Sequence, residues 1–427
     1  MTSPHEESRW RQLVEECFRR EAGTQAAIPD FGADLIATGV LDSMGWVSVL
    51  RTIESASGVA DLGSPLANRQ PTLENALQAL TQAKADTRVA PKIYNAGQSL
   101  SPASAAIVSS CTAVGSRRMP SEVVDRAFGM PEGKLRLRAG IESVAYAADG
   151  ENELTLGARA AQQTVHGAGC GVQELDCIIA TSETHRGYPS LSAQLHSQLL
   201  ARETCGALDV GGACLGLLSA LAFAQGLIAS GQARTIAVVT ADVHSRIFTP
   251  GRVTGEFGGL FGDGASAFLL RSTGSPETRQ SYRLGEFLFG CAGHYAGAIR
   301  VGDAPGGTLE VHFDGEALSR AAVTRLEKVI LDLESRSGIR RSSLEGLATH
   351  QPNPRLVTLL AKQCRLPKDK FPAVAQTYGN LGSSTCGVAL DAILQKARAT
   401  QPKARRPIFL ASLGPGLLFG GGWLLPF

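Results

Sequence analysis

The chain has 427 residues, of which 44% are hydrophobic and 19% are charged, so its composition is that of a globular protein with two or three domains. Its net charge of +2 is too small to indicate a nucleic-acid-binding protein. The charge is divided unevenly, because residues 1–85 carry 7 basic and 11 acidic side chains, a net of −4, and the remainder carries +6. The sequence therefore predicts an acidic N-terminal part and a mildly basic body.

The sequence shows no segment that would direct the chain to a membrane or to an oxidising compartment. The N-terminus has neither the basic nor the apolar region of a signal peptide. The apolar stretch Ala213–Gly231 is interrupted by Ser, Gln and Gly, which favours a buried helix over a membrane span. The nine cysteines form no C-x-x-C pair, so neither a zinc site nor a disulfide framework is indicated. We therefore expect a cytoplasmic protein that binds no metal, no membrane and no nucleic acid.

The N-terminal part shows a series of helical patterns. Apolar residues recur at three- and four-residue spacing over residues 6–22. A second helical pattern follows Ser43, and Thr72 can cap a last helix. These patterns predict a small all-α four-helix bundle over residues 1–84, followed by a linker over residues 85–104.

The rest of the chain alternates short apolar, β-branched segments with helical patterns, which is typical of an α/β domain with a buried sheet. A weak internal repeat accompanies this alternation, since Leu175–His185 is echoed by Leu344–His350. The repeat predicts a duplicated fold, with one half over residues 105–275 and the other over residues 276–427. The predicted strands include Cys177–Thr181, Thr235–Thr240, Ala265–Leu270 and Pro407–Ala411.

Three polar residues lie at the ends of predicted elements. Cys214 follows a strand and a run of small residues, and it begins an apolar helix. The positive end of a helix dipole lowers the pKa of a thiol, so we expect Cys214 to be a nucleophile rather than a buried structural cysteine. His350 directly follows a strand, and Asn380 lies in a Gly- and Ser-rich loop before a helix. This placement predicts that the three side chains converge on one site.

From Ser104 to Phe427 the sequence resembles the β-ketoacyl-acyl-carrier-protein synthase III family of the thiolase superfamily. The resemblance lies in the segments Gly212-Ala-Cys214-Leu-Gly, His350-Gln-Pro-Asn353, Gly379-Asn380 and Phe261-Gly-Asp-Gly264-Ala. It implies a thiolase-like five-layered αβαβα sandwich, a homodimer and an acyl-thioester intermediate on Cys214. It also implies that His350 and Asn380 activate a malonyl thioester for decarboxylation, by donating hydrogen bonds to the enolate oxygen.

The sequence departs from this family at several positions around the expected site. Gly414-Pro415-Gly416 replaces a triple-glycine segment whose middle N–H contributes to the family's oxyanion hole, and proline has no N–H. Relatives similar to chalcone synthase carry a comparable Gly-Pro-Gly segment, so condensation stays compatible with this change. Lys134 occupies the position of a tryptophan that stacks on the coenzyme A adenine, which argues against a coenzyme A primer. Tyr188 lies near the family's dimer-interface residue that shapes the acyl pocket.

The segment Gly39-Val-Leu-Asp42-Ser43-Met44 resembles the attachment site of an acyl carrier protein. In that family the serine carries a covalent 4′-phosphopantetheine, which a phosphopantetheinyl transferase attaches, and a helix N-terminus accommodates the phosphodiester. A simple helix N-cap is the alternative interpretation. An acidic carrier would dock on a basic rim around the tunnel to the nucleophile. Candidates for this rim, or else ordinary surface residues, are Arg138, Arg252, Asn353 and Arg355.

Together these features predict a carrier fused to a condensing enzyme. We expect a decarboxylative Claisen condensation between an acyl primer on Cys214 and a malonyl-type thioester on a carrier or coenzyme A, in fatty acid or polyketide-type biosynthesis. One alternative is an acyltransferase that moves the acyl group to an alcohol or amine, with His350 as general base. Another is a non-catalytic carrier scaffold, against which the complete set of Cys, His and Asn argues.

Overall fold

The structure, a computed structural model, describes residues 4–23, 26–59, 62, 66, 69–83, 94–95, 105–253, 255–274, 281–399 and 404–427. The chain divides into two compact units. One unit consists of Met1–Lys92 with His312–Arg325, and the other of Ile93–Val311 with Leu326–Phe427.

The first unit contains the helices predicted for the acidic N-terminal part. They are α1 (Pro4–Ala22), α2 (Ser43–Ser57) and α3 (Leu73–Ala83). The Asp42 carboxylate caps α2 by accepting the backbone N–H of Gly45 at 2.8 Å, which satisfies an N–H that has no partner within the helix. Apolar side chains of the three helices, including Trp10 and Trp46, share one buried core. A fourth helix stays a prediction, since most of residues 60–68 lie outside the described part of the chain.

The second unit is built on a mixed sheet with the strand order β12-β13-β14-β9-β2-β8-β7-β5-β6. Its strands are β2 (Ala105–Val114), β5 (Cys177–Thr181), β6 (Gly206–Asp209), β7 (Thr235–Val243), β8 (Asp263–Ser272), β9 (Tyr282–Cys291), β12 (Gly346–Thr349), β13 (Ile408–Gly414) and β14 (Leu418–Pro426). Short strands β3 (Arg117–Pro120) and β4 (Ser143–Tyr146) pair with each other, as do β10 (Ile299–Asp303) and β11 (Leu309–Phe313).

The strand pairing shows the internal duplication that the repeat predicts. In one half, β5 is parallel to β7, β7 is antiparallel to β8, and β8 is antiparallel to β2. In the other, β12 is parallel to β13, β13 is antiparallel to β14, and β14 is antiparallel to β9. The two halves meet where β2 pairs with β9. The duplication is therefore confirmed by topology and not only by similar apolar segments.

Helices lie between the two half-sheets and on their outer faces. The further helices are α4 (Ser121–Ala127), α5 (Glu153–Gly167), α6 (Leu191–Leu199), α7 (Gly216–Ala229), α8 (Glu256–Gly259), α9 (Gly315–Ser337), α10 (Pro354–Gln363), α11 (Val374–Tyr378) and α12 (Ser384–Arg398). Helices α7 and α12 share a buried core with strands of both halves, whereas α5 and α6 pack in a separate core on the first half. Val329 and Leu333 of α9 lie against Gly421 of β14. This is the predicted five-layered αβαβα arrangement.

Most predicted element bounds agree with the structure, with some corrections. The strand predicted at Cys177–Thr181 is found with the same bounds, and those predicted to end at Thr240 and Leu270 continue to Val243 and Ser272. The linker prediction missed a short strand, β1 (Tyr94–Asn95), which pairs antiparallel with β9. The other linker residues lie outside the described ranges. No helix in these ranges is long and apolar enough to cross a bilayer, and all nine cysteines are free thiols.

Candidate active site

The candidate site lies where several strands of the second unit end. Cys214 follows β6, Glu183 follows β5, His244 follows β7 and His350 follows β12. Strands β5, β6 and β7 are parallel neighbours, so their carboxyl ends meet at the same edge of the sheet. That edge is where open α/β sheets place their ligands.

Close backbone packing positions the Cys214 thiol. Cys214 is 7% exposed and lies in a tight turn, Ala213–Leu215, that leads into α7. Its carbonyl oxygen accepts the hydroxyl of Ser412 at 3.0 Å. At Gly414, a Cβ atom would lie 3.2 Å from the oxygen of Gly212 and 3.5 Å from the nitrogen of Cys214. Only a glycine lets β13 approach the nucleophile this closely without a shift.

The prediction that the helix dipole leaves Cys214 with a lowered pKa is wrong. Burial, followed by the charge of Glu183 and then that of Asp242, raises the pKa of the thiol well above its usual value. The turn at Ala213–Leu215 places the cysteine just before the first residue of α7. Removing water and adding two carboxylates disfavours a thiolate more than one helix end favours it. The resting nucleophile is therefore a thiol.

His350 and Asn380 are both buried and oriented by the backbone. Burial lowers the pKa of His350 to about 4, although the charge of Glu183 opposes the shift, so its imidazole is neutral near pH 7. The Oδ1 atom of Asn380 accepts the N–H of Gly382 at 3.0 Å and the hydroxyl of Thr385 at 3.3 Å. These bonds turn the amide so that Nδ2 remains as a donor. Asn380 thus presents an amide donor, and His350 presents a neutral imidazole with one N–H.

The structure brings the three predicted residues into one neighbourhood. The charge of Glu183 acts on both Cys214 and His350. Gly382 connects the other pair, since its backbone hydrogen-bonds with His350 and its N–H binds the Asn380 side chain. The three side chains therefore lie close together, as predicted. Their chemical roles stay predictions.

Sequence reasoning missed a buried charged network in this site. The Oε2 atom of Glu183 lies 3.7 Å from Nε2 of His244, and the Glu183 N–H donates to Oδ1 of Asp242 at 2.6 Å. Burial works to lower the pKa of His244, but pairing with Glu183 and the charge of Asp242 outweigh it and raise the pKa to about 9. Burial and the charge of Glu183 raise the pKa of Asp242 to about 6. The position of Glu183 and His244 directly after buried strands was the signal that could have found them.

The predicted substrate-pocket and oxyanion residues lie in turns. Tyr188 is fully exposed, so within this chain it does not line a buried acyl pocket. Pro415 is exposed, and Gly416 follows it with a φ of 75°. Both directly follow Gly414, which packs against the Cys214 turn. The proline is therefore near the nucleophile in the fold, as the motif implies.

The predicted rim residues have specific partners within the second unit. Asn353 caps α10 by accepting the N–H of Leu356 at 2.9 Å. Arg252 donates to the oxygen of Gly307 at 2.9 Å and lies 3.4 Å from Asp303, whereas Arg355 donates to the carbonyl of Leu137. Arg138 is exposed. The side chains of Asn353 and Arg252 therefore have structural roles within this unit, which account for these residues without a docking role.

Ser43 lies at the N-terminus of a helix of the first unit. It is the first residue of α2 and is exposed, while the neighbouring Asp42 side chain satisfies the helix end. The serine hydroxyl is thus not needed as the cap. The N-cap alternative applies to Asp42 and not to Ser43.

Comparison with known proteins identifies the family. Residues 208–293 match the profile of 3-oxoacyl-[acyl-carrier-protein] synthase III, and residues 335–424 match its C-terminal profile. A β-ketoacyl-[acyl-carrier-protein] synthase III of Ruegeria pomeroyi is 30% identical over 308 residues, which cover 71% of this chain and 93% of that protein. The chain belongs to the β-ketoacyl-acyl-carrier-protein synthase III family. The protein is therefore an enzyme of the condensing transferase class.

Solved structures share the fold of this chain. The synthase III of Aquifex aeolicus matches with a TM-score of 0.66 at 22% identity, over 76% of this chain and all of that one. A priming β-ketosynthase of the R1128 polyketide pathway matches with a TM-score of 0.68 at 22% identity, over 80% of this chain and 99% of that one. Among the described residues, no cluster of His, Cys, Asp and Glu is arranged to hold a metal ion.

Proposed function

We propose that this protein joins an acyl group on Cys214 to a malonyl-type thioester by decarboxylative Claisen condensation. The observation that supports this most is the pair of buried neutral donors beside the nucleophile. His350 has a pKa lowered to about 4, and the Asn380 amide is turned so that Nδ2 can donate. Such donors suit the oxygen of an enolate, on which negative charge develops in a buried site.

The reaction balances with the groups that the site holds. The Cys214 sulfur forms a C–S bond with the acyl carbon of an incoming thioester, whose own thiol leaves. The malonyl thioester then loses carbon dioxide, and its enolate oxygen accepts hydrogen bonds from His350 and Asn380. The enolate carbon attacks the acyl carbon, a C–C bond forms, and the bond to the Cys214 sulfur breaks. The products are a β-ketoacyl thioester, carbon dioxide and the regenerated cysteine.

A second part of the proposal concerns Ser43 as the attachment site of 4′-phosphopantetheine. Its exposure at the start of α2 fits a phosphodiester at a helix N-terminus. When attached, the group supplies a thiol that holds an acyl or malonyl unit. Attachment to the same chain would raise the effective concentration of this unit at Cys214. Partners that follow are a phosphopantetheinyl transferase, acyl and malonyl thioesters, and a second copy of the chain in a homodimer.

Mass spectrometry can test both parts together. The full chain is incubated with a phosphopantetheinyl transferase and coenzyme A, and then with panels of acyl and malonyl thioesters. We expect a phosphopantetheine mass on the Ser43 peptide, an acyl mass on the Cys214 peptide, and carbon dioxide release with one of the malonyl thioesters. Ser43→Ala should lose the first signal and Cys214→Ala the second. An acylated Cys214 that releases no carbon dioxide with any malonyl thioester would contradict condensation and favour transfer to an alcohol or amine.

A further inference from the structure

One carboxylate in the active site, that of Glu183, takes no part in the condensation steps described above. Glu183 follows β5, and its main chain is fixed by the bond from its N–H to Asp242. One carboxylate oxygen, Oε2, pairs with His244. The other, Oε1, is buried and accepts no N–H or O–H hydrogen bond among the described residues. A buried acceptor needs a donor, and the hydrogen bond between the Glu183 side chain and the Cys214 thiol supplies one.

The neighbour that Oε1 can serve is the thiol of Cys214. Glu183 and Cys214 are close enough for each to shift the pKa of the other. Burial works to raise the pKa of Glu183, but pairing with His244, the hydrogen bond with Cys214 and the charge of His350 together outweigh it, so the pKa is lowered and the group is a carboxylate. The Cys214 thiol keeps its proton because its pKa is raised. The resting pair is therefore a thiol proton donor hydrogen-bonded to an ionised carboxylate.

His350 is the other candidate acceptor for this proton. Its imidazole is neutral, but a pKa lowered to about 4 makes it a weak base. The pKa of Glu183 is lowered too, so contact and not basicity distinguishes the two groups: the Glu183 side chain hydrogen-bonds with the Cys214 thiol, whereas His350 hydrogen-bonds with the backbone of Gly382. The groups facing Glu183 are thus Cys214, His244, Asp242 and His350, and the last two carry no positive charge at neutral pH.

We propose that Glu183 is a catalytic residue, whose Oε1 takes the proton from the Cys214 sulfur while that sulfur attacks the incoming acyl thioester. A bond forms between Sγ and the acyl carbon, and the bond from that carbon to the donor thiol breaks. Glu183 then passes the proton to the departing thiolate and becomes a carboxylate again. The inference rests on the proposed function only in that Cys214 is acylated, since it concerns loading and not decarboxylation.

The test measures how the reaction of Cys214 depends on pH in the native chain and in Glu183→Gln. Loading from an acyl thioester and alkylation by iodoacetamide are followed by the mass of the Cys214 peptide from pH 6 to pH 8. If Glu183 is the base, the native rate changes less than about threefold, because the carboxylate is already ionised throughout this range. In Glu183→Gln the rate should fall at least about tenfold at pH 7 and then rise about tenfold per pH unit, as free thiolate forms.

Two controls keep the result interpretable. Glu203→Gln makes the same change at an exposed position and should leave the native rate and profile intact. Glu183→Asp keeps a carboxylate and should keep the flat profile at a lower rate.

Opposite outcomes would overturn the inference. If the carboxylate acts only through its charge, Glu183→Gln has more thiolate and reacts faster than the native chain. A native rate that itself rises tenfold per pH unit would also refute the role, even where Glu183→Gln does not fold. Normal loading without carbon dioxide release would instead contradict the proposed condensation and leave the role of Glu183 standing.

Discussion

Replacing His244 with glutamine should remove a pH-dependent part of the stability of the synthase unit. His244 is buried and pairs with Glu183, and its pKa is raised from 6.5 to about 9. The folded protein therefore binds a proton more tightly than the unfolded chain between these pH values. This contribution is fully present below pH 6.5 and is lost as the pH rises through 9.

The size of the effect follows from the shift. One pKa unit corresponds to about 1.4 kcal/mol, so raising the pKa of His244 from 6.5 to about 9 contributes at most about 3 kcal/mol to the free energy of unfolding. Other shifted groups in the site titrate outside this range. His350 and Asp242 have pKa values of about 4 and about 6, and that of Cys214 lies well above 9.

Urea denaturation at pH 6 and pH 9, followed by circular dichroism, measures the difference. Between pH 6 and pH 9, the free energy of unfolding of the native chain should fall by up to about 3 kcal/mol more than that of His244→Gln. His166→Gln, at an exposed position on α5, serves as the control and should behave as the native chain does. An equal loss in the native chain and in His244→Gln would refute the charged pair of His244 with Glu183.

Three further substitutions test other parts of the structure. In Gly382→Ala, the new Cβ would lie 2.5 Å from Cε1 of His244 and 2.9 Å from Oδ2 of Asp242. The rate of carbon dioxide release should therefore fall by about a hundredfold. An unchanged rate would contradict this packing. Asp42→Ala removes the cap of α2 and should cost the N-terminal unit about 1 kcal/mol in thermal unfolding, whereas Glu7→Ala, at an exposed position on α1, should cost less. Asn353→Ala removes the cap of α10 and should cost about 1 kcal/mol without changing the KM for an acyl carrier; a raised KM would restore its predicted docking role.

The sequence motifs located the candidate site because its residues follow elements that are readable from local patterns. The strand over Cys177–Thr181 is a continuous apolar segment, and its bounds were predicted correctly. His350 and Asn380 were found because each lies at the end of such an element, next to a Pro or Gly. The pairing of β2 with β9, which joins the two halves, involves distant segments and leaves no local signal.

The pKa values of the site residues could not be predicted from the sequence. The pKa of Cys214 was predicted from the helix that follows it, but the structure places Glu183 beside the thiol and removes water from both. Neither burial nor a neighbour 31 positions away can be read from the residues around Cys214. The same reason explains Asn353 and Arg252, whose local partners become visible only when α10 and the loop at Asp303 are in place.

The central claim is that Cys214, His350 and Asn380 carry out decarboxylative condensation, and a single-turnover experiment tests it most directly. Protein acylated on Cys214 is isolated and mixed with a malonyl thioester that carries a labelled carboxyl group. We expect one labelled carbon dioxide and one β-ketoacyl product for each acyl group that leaves Cys214, with both lost in Asn380→Ala while the acyl group stays bound. Departure of the acyl group to water, an alcohol or an amine without carbon dioxide would contradict it.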